Sequence, residues 1–304
     1  MTQPARRQQG AILVLVLWFV VALSLLVLAG TRSTRQVAQD ASLEFERMRS
    51  EALLDAALQL VERRLLDDKA LASEYRSLRL GMGADTVDVE AVPSEGLVDV
   101  NVASNAVLRA LFMRAGGLAQ GEADILIDRI HDYIDPDDIP NGPGGAEAPQ
   151  YRAAGLPDVP RNAGLDDLTE LNGVMGMTTG LYAKIAPFLG LNGQQRIEAQ
   201  AAPPALIDRL SAQQGLGAAV HAAPPEMRAA LIQSDSIAEL FSVSAGGAGG
   251  LARLTARLRS PDGRLWQRQV WVNLRTKPDS LTPWSTQVVE PTRRLPLASE
   301  SVTP

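Results

Sequence analysis

No cysteine occurs in the 304 residues. Thiol nucleophiles, disulfide staples and cysteine-held zinc or iron–sulfur centres are therefore excluded. Histidine is nearly as scarce, with only His131 and His221, far apart in the chain. No site built from several histidines and no histidine relay can be assembled, and nothing in the spacing supports a Ser–His–Asp triad. The formal net charge of −6 argues against a protein that coats nucleic acid.

Charge is missing from one stretch altogether. Ala11 to Gly30, "AILVLVLWFVVALSLLVLAG", is apolar apart from Ser24. Twenty helical residues rise roughly 30 Å, the thickness of a bilayer's hydrocarbon core. Two readings are open: a secretory signal cut after "VLAG", or a retained span. The length of the run favours the span, because a signal's apolar region is shorter. Arg6 and Arg7 before it place the head in the cytoplasm. Proline and glycine are then absent from Thr31 to Leu66, while Ala38, Ala41, Phe45, Met48, Ala52 and Ala56 recur at three- and four-residue steps. That is amphipathic-helix spacing. One long helix is expected, its membrane half at 11–30 and its outer half at 31–66.

Beyond it, "DTVDVEAVPSEGLVDVNVAS" alternates at Val87, Val89 and Ala91 and again at Val98, Val100 and Val102. With "PSEG" as the turn this predicts a hairpin over 85–102. Residues 103–235 read as short helices and loops. Strand text returns over 236–275, where "LARLTARLRS" and "RLWQRQVWVNL" flank a "PDG" turn. The proline-punctuated end, 276–304, is expected to be a flexible tail. The fold class expected is α+β: an antiparallel sheet with a large all-α domain inserted between its strands. Trp266 and Trp271 fall on opposite faces of the last strand, one anchoring the sheet on the helix and the other turned toward a partner. A faint internal echo aligns "VDVNVASNAVLRAL" (98–111) with "IEAQAAPPALIDRL" (197–210), suggesting two related helical subdomains.

The densest acidic cluster is "IHDYIDPDDIPNGPGGAE", with Asp132, Asp135, Asp137, Asp138 and Glu147. Alternating acids on a turn can present several oxygens to one calcium ion. They can equally cap helices and form Asx-turns around Pro136. Both readings stand, and the spacing is not that of an EF-hand. A hydrolase using Asp135, Asp137 and Glu147 is a third candidate for this chemistry. His131 beside the cluster reads as an ordinary helix residue. A rival function comes from "LDDLTELNGVMGMTTGLYAKIAPFLG", whose two short helices around "NGVMG" resemble a helix-hairpin-helix. That makes a single-pass membrane-anchored DNA-binding protein the alternative. Its flanks carry Asp166, Asp167 and Glu170 against one cation, Lys184, whereas a phosphate site wants several.

The leader "RRQQG" followed by "AILVLVLWFVVALSLL" resembles the class III signal of type IV pilins and type II secretion pseudopilins. The resemblance implies a leader at 1–10, cleavage by a prepilin peptidase between Gly10 and Ala11, and methylation of the new terminus. The fifth mature position, where most pilins carry glutamate, is Leu15. A carboxylate in hydrocarbon costs at least ~2.5–3.5 kcal/mol unless it meets a partner, so its absence suits a subunit with none ahead of it. It is the mark of the K-type minor pseudopilin. "GAE" followed by tyrosine, here Gly145, Ala146, Glu147 and Tyr151, is a further match. The resemblance implies a pilin-like fold, a long N-terminal helix packed on an antiparallel sheet that is split by the α-domain. It also implies a structural and not a catalytic role, at the tip of a periplasmic pseudopilus used in protein export. The implied partners are I-type and J-type minor pseudopilins, the major pseudopilin, the prepilin peptidase and the inner-membrane assembly platform, with no nucleic acid. No cofactor is required, and the acids are candidates for structural calcium because some K-type pseudopilins bind it.

Overall fold

The computed structural model describes residues 9–157, 159–233, 235–243, 250–260, 263–275 and 283–296. Most of the expected leader (1–8) and parts of the expected tail (276–282 and 297–304) lie outside the described residues. The chain divides into two compact units, Met1–Leu53 and Leu54–Pro304.

The first unit carries most of helix α1 (Gln9–Asp67). The absence of helix breakers lets the helix run unbroken through the expected span and its outer half. The side chains described in that span, residues 13–26, are all exposed. Ser24 donates to the carbonyl of Val20 one turn back at 2.7 Å, which satisfies the one hydroxyl among them. Among the described residues, no helix is long and apolar enough to cross a membrane.

In the second unit the end of α1 buries Leu54, Ala57, Leu58, Val61 and Leu65, a stripe at three- and four-residue steps. Each fully buried leucine there contributes about 1.5–3 kcal/mol. A short helix α2 (Lys69–Ala72) leads into strands β1 (Arg76–Met82) and β2 (Asp85–Pro93). Two dipeptide strands follow much later, β3 (Ile197–Glu198) and β4 (Phe241–Ser242), and then β5 (Leu251–Arg259), β6 (Leu265–Asn273), β7 (Ser285–Val289) and β8 (Arg293–Leu295). The main sheet runs β1-β2-β5-β6-β7, with β8 also on β6, and all its pairings are antiparallel.

Register places apolar rows on one face: Val87, Leu258 and Trp266; Ala91, Leu254 and Val270; Pro93, Ala252 and Val272. Between them Val89 and Ala256 share a row with Arg268. Arg268 Nε meets Asp55 of α1 at 2.7 Å, so this face looks onto the helix. The opposite face carries Arg253, which is buried. It donates to the carbonyl of Pro187 at 2.7 Å and lies over the Trp271 ring. Trp266 thus anchors the helix side, and Trp271 meets the inserted segment where a partner contact was expected.

Three expectations need correction. The sequence reading paired 85–93 with 98–102, but β2 pairs with β1, an upstream strand joined through Gly83, whose φ is +68°. Residues 98–102 curl instead: the Asp99 carbonyl accepts from Val102 and Ala103. Its carboxylate accepts from the backbone N–H groups of Asn101, Asn192 and Gly193 at 2.6–3.0 Å. Val98 and Val100 are buried in the helical core, not in the sheet. Second, the strand text expected from 236 onward does not begin the main sheet: before β5 the described residues form only the dipeptide strand Phe241–Ser242, paired in parallel with β3 outside the main sheet. Third, the described part of the expected tail supplies β7 and β8.

The inserted segment between β2 and β5 is mostly helical: α3 (Asn105–Ala110), α4 (Gln120–Ile134), α5 (Ala148–Ala153), α6 (Thr179–Ile185), α7 (Pro204–Ser211), α8 (Leu216–Ala222), α9 (Pro225–Leu231) and α10 (Asp235–Ala238). It has its own core, including Phe112, Ile130, Tyr151, Ile185, Leu206 and Phe241. The internal echo reappears in its hydrogen bonds. As Asp99 caps Val102 and Ala103, so the Glu198 carbonyl accepts from Ala201 and Ala202. As Val98 donates to Phe188, so Ile197 donates to Leu240. Each half starts extended, turns, enters a helix after Ser104 or Pro203, and returns beside its own start.

Candidate metal centre

The acidic cluster forms where α4 stops. Asp132 lies in its last turn and is fully buried. Asp135 is extended, because Pro136 disfavours helical geometry in the residue before it. The loop then returns along α4, and Glu147 precedes α5. Arg129 of α4 ties that return down, with Nε donating to the Gly144 carbonyl at 3.2 Å and Nη1 to the Met175 carbonyl at 3.1 Å. The Met175 N–H in turn reaches the Tyr151 hydroxyl at 2.8 Å.

The five predicted acids do different work. Asp132 has its oxygens occupied: the backbone and side-chain nitrogens of Asn141 bond one at 2.7 Å, and the Ala146 N–H bonds the other. It shapes the loop. A Cβ on Gly145 would fall 2.5 Å from both the Asn141 carbonyl and Asp132 Oδ2, so only glycine fits there. Asp138 points away, within 3.5 Å of Asn162 Nδ2. Asp135, Asp137 and Glu147 converge, each offering an oxygen within 4.8 Å of the others.

This trio is electrostatically incomplete. Glu147 is 1% exposed, and neither of its buried oxygens has a hydrogen-bond donor. Burial first, then the neighbouring Asp132, Asp135, Asp138 and Asp137, push its carboxyl up to about 7. Asp135 is bonded by Asn141 Nδ2 at 2.9 Å through one oxygen, while the other is buried without a partner. Its pKa is raised, chiefly by burial and against the Asn141 bond. Asp137 is exposed and accepts from the Ile139 N–H at 2.8 Å, so the cost falls on Glu147, a buried carboxylate crowded by others without a donor. A hard divalent cation, which takes carboxylate oxygens at about 2.3–2.6 Å, would remove that cost. The donor set is all oxygen and fits calcium. His131 is not in the trio.

In the rival DNA-binding segment the turn glycines pack against neighbouring side chains. A Cβ on Gly173 would meet the Tyr133 hydroxyl at 2.7 Å, and one on Gly176 would meet Arg129 at 2.6 Å. The Lys184 ammonium lies 3.3 Å from the Gly116 carbonyl. These glycines allow close packing. Gly10 and Ala11 lie just inside the start of α1, and Leu15 is exposed on it.

Residues 87–194, which span β2, the acidic loop and α6, match the family model described as type II secretion system (T2SS), protein K. That stretch is a type II secretion system protein K domain. No curated protein matches the chain. In fold, it is similar to a chain of the crystal structure of the GspK–GspI–GspJ complex from the enterotoxigenic Escherichia coli type 2 secretion system. The TM-score is 0.51 at 16% identity, covering 80% of this chain and 98% of that one. The acidic loop lies inside the matched domain. Sequence reasoning missed Arg129 and Asn141, which hold the loop together. The asparagine in "PNGPGG" was the one available signal.

Proposed function

We propose that this chain is a K-type minor pseudopilin that sits at the tip of the periplasmic pseudopilus and helps to initiate its assembly for protein export. The observation that carries the reading is the protein K match over residues 87–194. The order of a long N-terminal helix, an antiparallel sheet and a helical insertion between β2 and β5 supports it. On this reading the fold is a pilin fold split by the insertion. Residues 1–10 are the leader cut at Gly10–Ala11, the new terminus is methylated, and 11–30 is the single inner-membrane span with the body in the periplasm. The GspK-like fold was solved in a complex with GspI and GspJ. That supports I-type and J-type pseudopilins as partners here, with the major pseudopilin, the prepilin peptidase and the assembly platform following from the role. The work is assembly and not catalysis. Calcium bound by Asp135, Asp137 and Glu147 would tie the end of α4 to the start of α5.

The test is the intact mass of the protein from host membranes, with and without an active prepilin peptidase. Peptidase-dependent loss of residues 1–10 is expected. An uncut chain, or a cut near Gly30, would sink the reading.

A further inference from the structure

The edge strand β1 is fastened to the second helical subdomain at a joint made of groups from four stretches of the chain. The Tyr75 N–H donates to the Gln200 carbonyl at 2.8 Å. Glu74 accepts from Arg76 Nη2 at 2.6 Å and from Arg228 Nη1 of α9 at 2.8 Å. Arg228 is buried, and its Nε donates to the Ala223 carbonyl at 3.1 Å. His221 of α8 completes the joint. Its Nε2 lies 2.9 Å from the Ala202 carbonyl, and its ring sits 5.2 Å from that of Tyr75.

We propose that His221 is an acid-sensitive latch that fastens the second helical subdomain to the edge of the sheet. A carbonyl can only accept, so Nε2 carries the hydrogen and the neutral ring is already satisfied. A proton on Nδ1 would put a third cation beside the guanidiniums of Arg228 and Arg76. Among the described residues, Glu74 is the carboxylate that faces His221 from the packed elements, and it already bridges both arginines. The Tyr75 phenol offers no relief, since burial and Glu90 hold it protonated.

Burial, Arg228 and Arg76 lower the imidazole's pKa, against the Ala202 bond and Glu74. A folded value below the ordinary 6.5 means no penalty above that pH and a growing one as pH falls through the folded value. Acidification therefore loosens α7–α9 from β1. The first subdomain, with its acidic loop, has no such joint among the described residues. The latch is independent of the pseudopilin reading.

The test is hydrogen exchange followed by mass spectrometry on the full chain in detergent at about pH 7.5 and about pH 5.5, a range in which histidine changes charge. Exchange times are matched for intrinsic rate. Peptides across α7–α9 are expected to lose protection several-fold at the lower pH relative to the central strands β5 and β6. In His221→Gln, which keeps an N–H donor for Ala202, that difference is expected to vanish. Equal protection at both pH values overturns the proposal, and so does a loss that persists in the variant. If the variant misfolds, His131→Gln leaves His221 as the sole imidazole, to be titrated by NMR. A midpoint below 6.5 supports the latch, and one at or above it overturns it.

Discussion

Glu147 is the residue on which the acidic loop turns. Its folded pKa of about 7 stands above the ordinary 4.5, so in cation-free protein the proton is held more tightly by the folded state. The sign follows from linkage: the stability this group contributes is full below about 4.5, declines as pH rises, and is gone above about 7. A bound divalent cation replaces the proton and reverses the trend, so calcium affinity climbs with pH up to about 7 and then levels. Urea unfolding from pH 4 to 8, with chelator and with calcium, reads both slopes. Glu147→Gln is expected to flatten the chelated curve. It should also lower calcium affinity by no less than the roughly 10–100-fold that loss of an outer-shell partner costs a metal site. Unchanged affinity in the variant would remove Glu147 from the ligand set. Composition could point to these acids, but it could not separate Asp135 and Glu147 from Asp132. That distinction lies in which oxygens already hold N–H groups, and those donors come from Asn141 and Ala146 across a folded loop.

At the level of elements, the error over 98–102 shows what alternation misses. Val98 and Val100 alternate as a strand would, yet they face the core of the helical insertion. Asp99 between them gathers three N–H groups, two of them from residues more than ninety positions on. A buried side chain that satisfies distant backbone leaves no local pattern. Strand β1 was missed for a different reason. As an edge strand it exposes Ser77, Arg79 and Gly81, and charge is how edges are kept from pairing further. The long helix and the β5–β6 hairpin were legible because their own periodicity decides their burial. Asp99→Ala is expected to cost about 2–6 kcal/mol, since two of its three donors, Asn101 and Asn192, are half-buried and each stranded donor is worth about 1–3 kcal/mol. Asp99→Asn, which keeps an acceptor, should cost less. Denaturant melts of the two variants check this, and equal stability in all three proteins would show that water replaces the carboxylate.

For the whole molecule, the order helix, sheet, helical insertion, sheet was legible because each change of period is written in its own segment. The attachment of the insertion to the sheet was not, because it rests on single long-range contacts such as Arg253 to Pro187 and Glu74 to Arg228. The proposed tip position makes a separate demand on α1. A subunit with another ahead of it can pair a carboxylate at the fifth mature position, and one at the tip cannot. Leu15 is the neutral solution, and Leu15→Glu places an acid in the proposed span at a cost of about 2.5–3.5 kcal/mol near its centre, less toward the end. The expected outcome is less variant protein co-isolated from membranes with I-type and J-type partners, at equal expression, and weaker secretion. Substitution by Gln, polar but uncharged, should fall between the two. If Leu15→Glu instead enters the complex as well as the native chain or better, a partner for that carboxylate exists above it. The position at the tip would then be wrong, while the protein K match over residues 87–194 would stand.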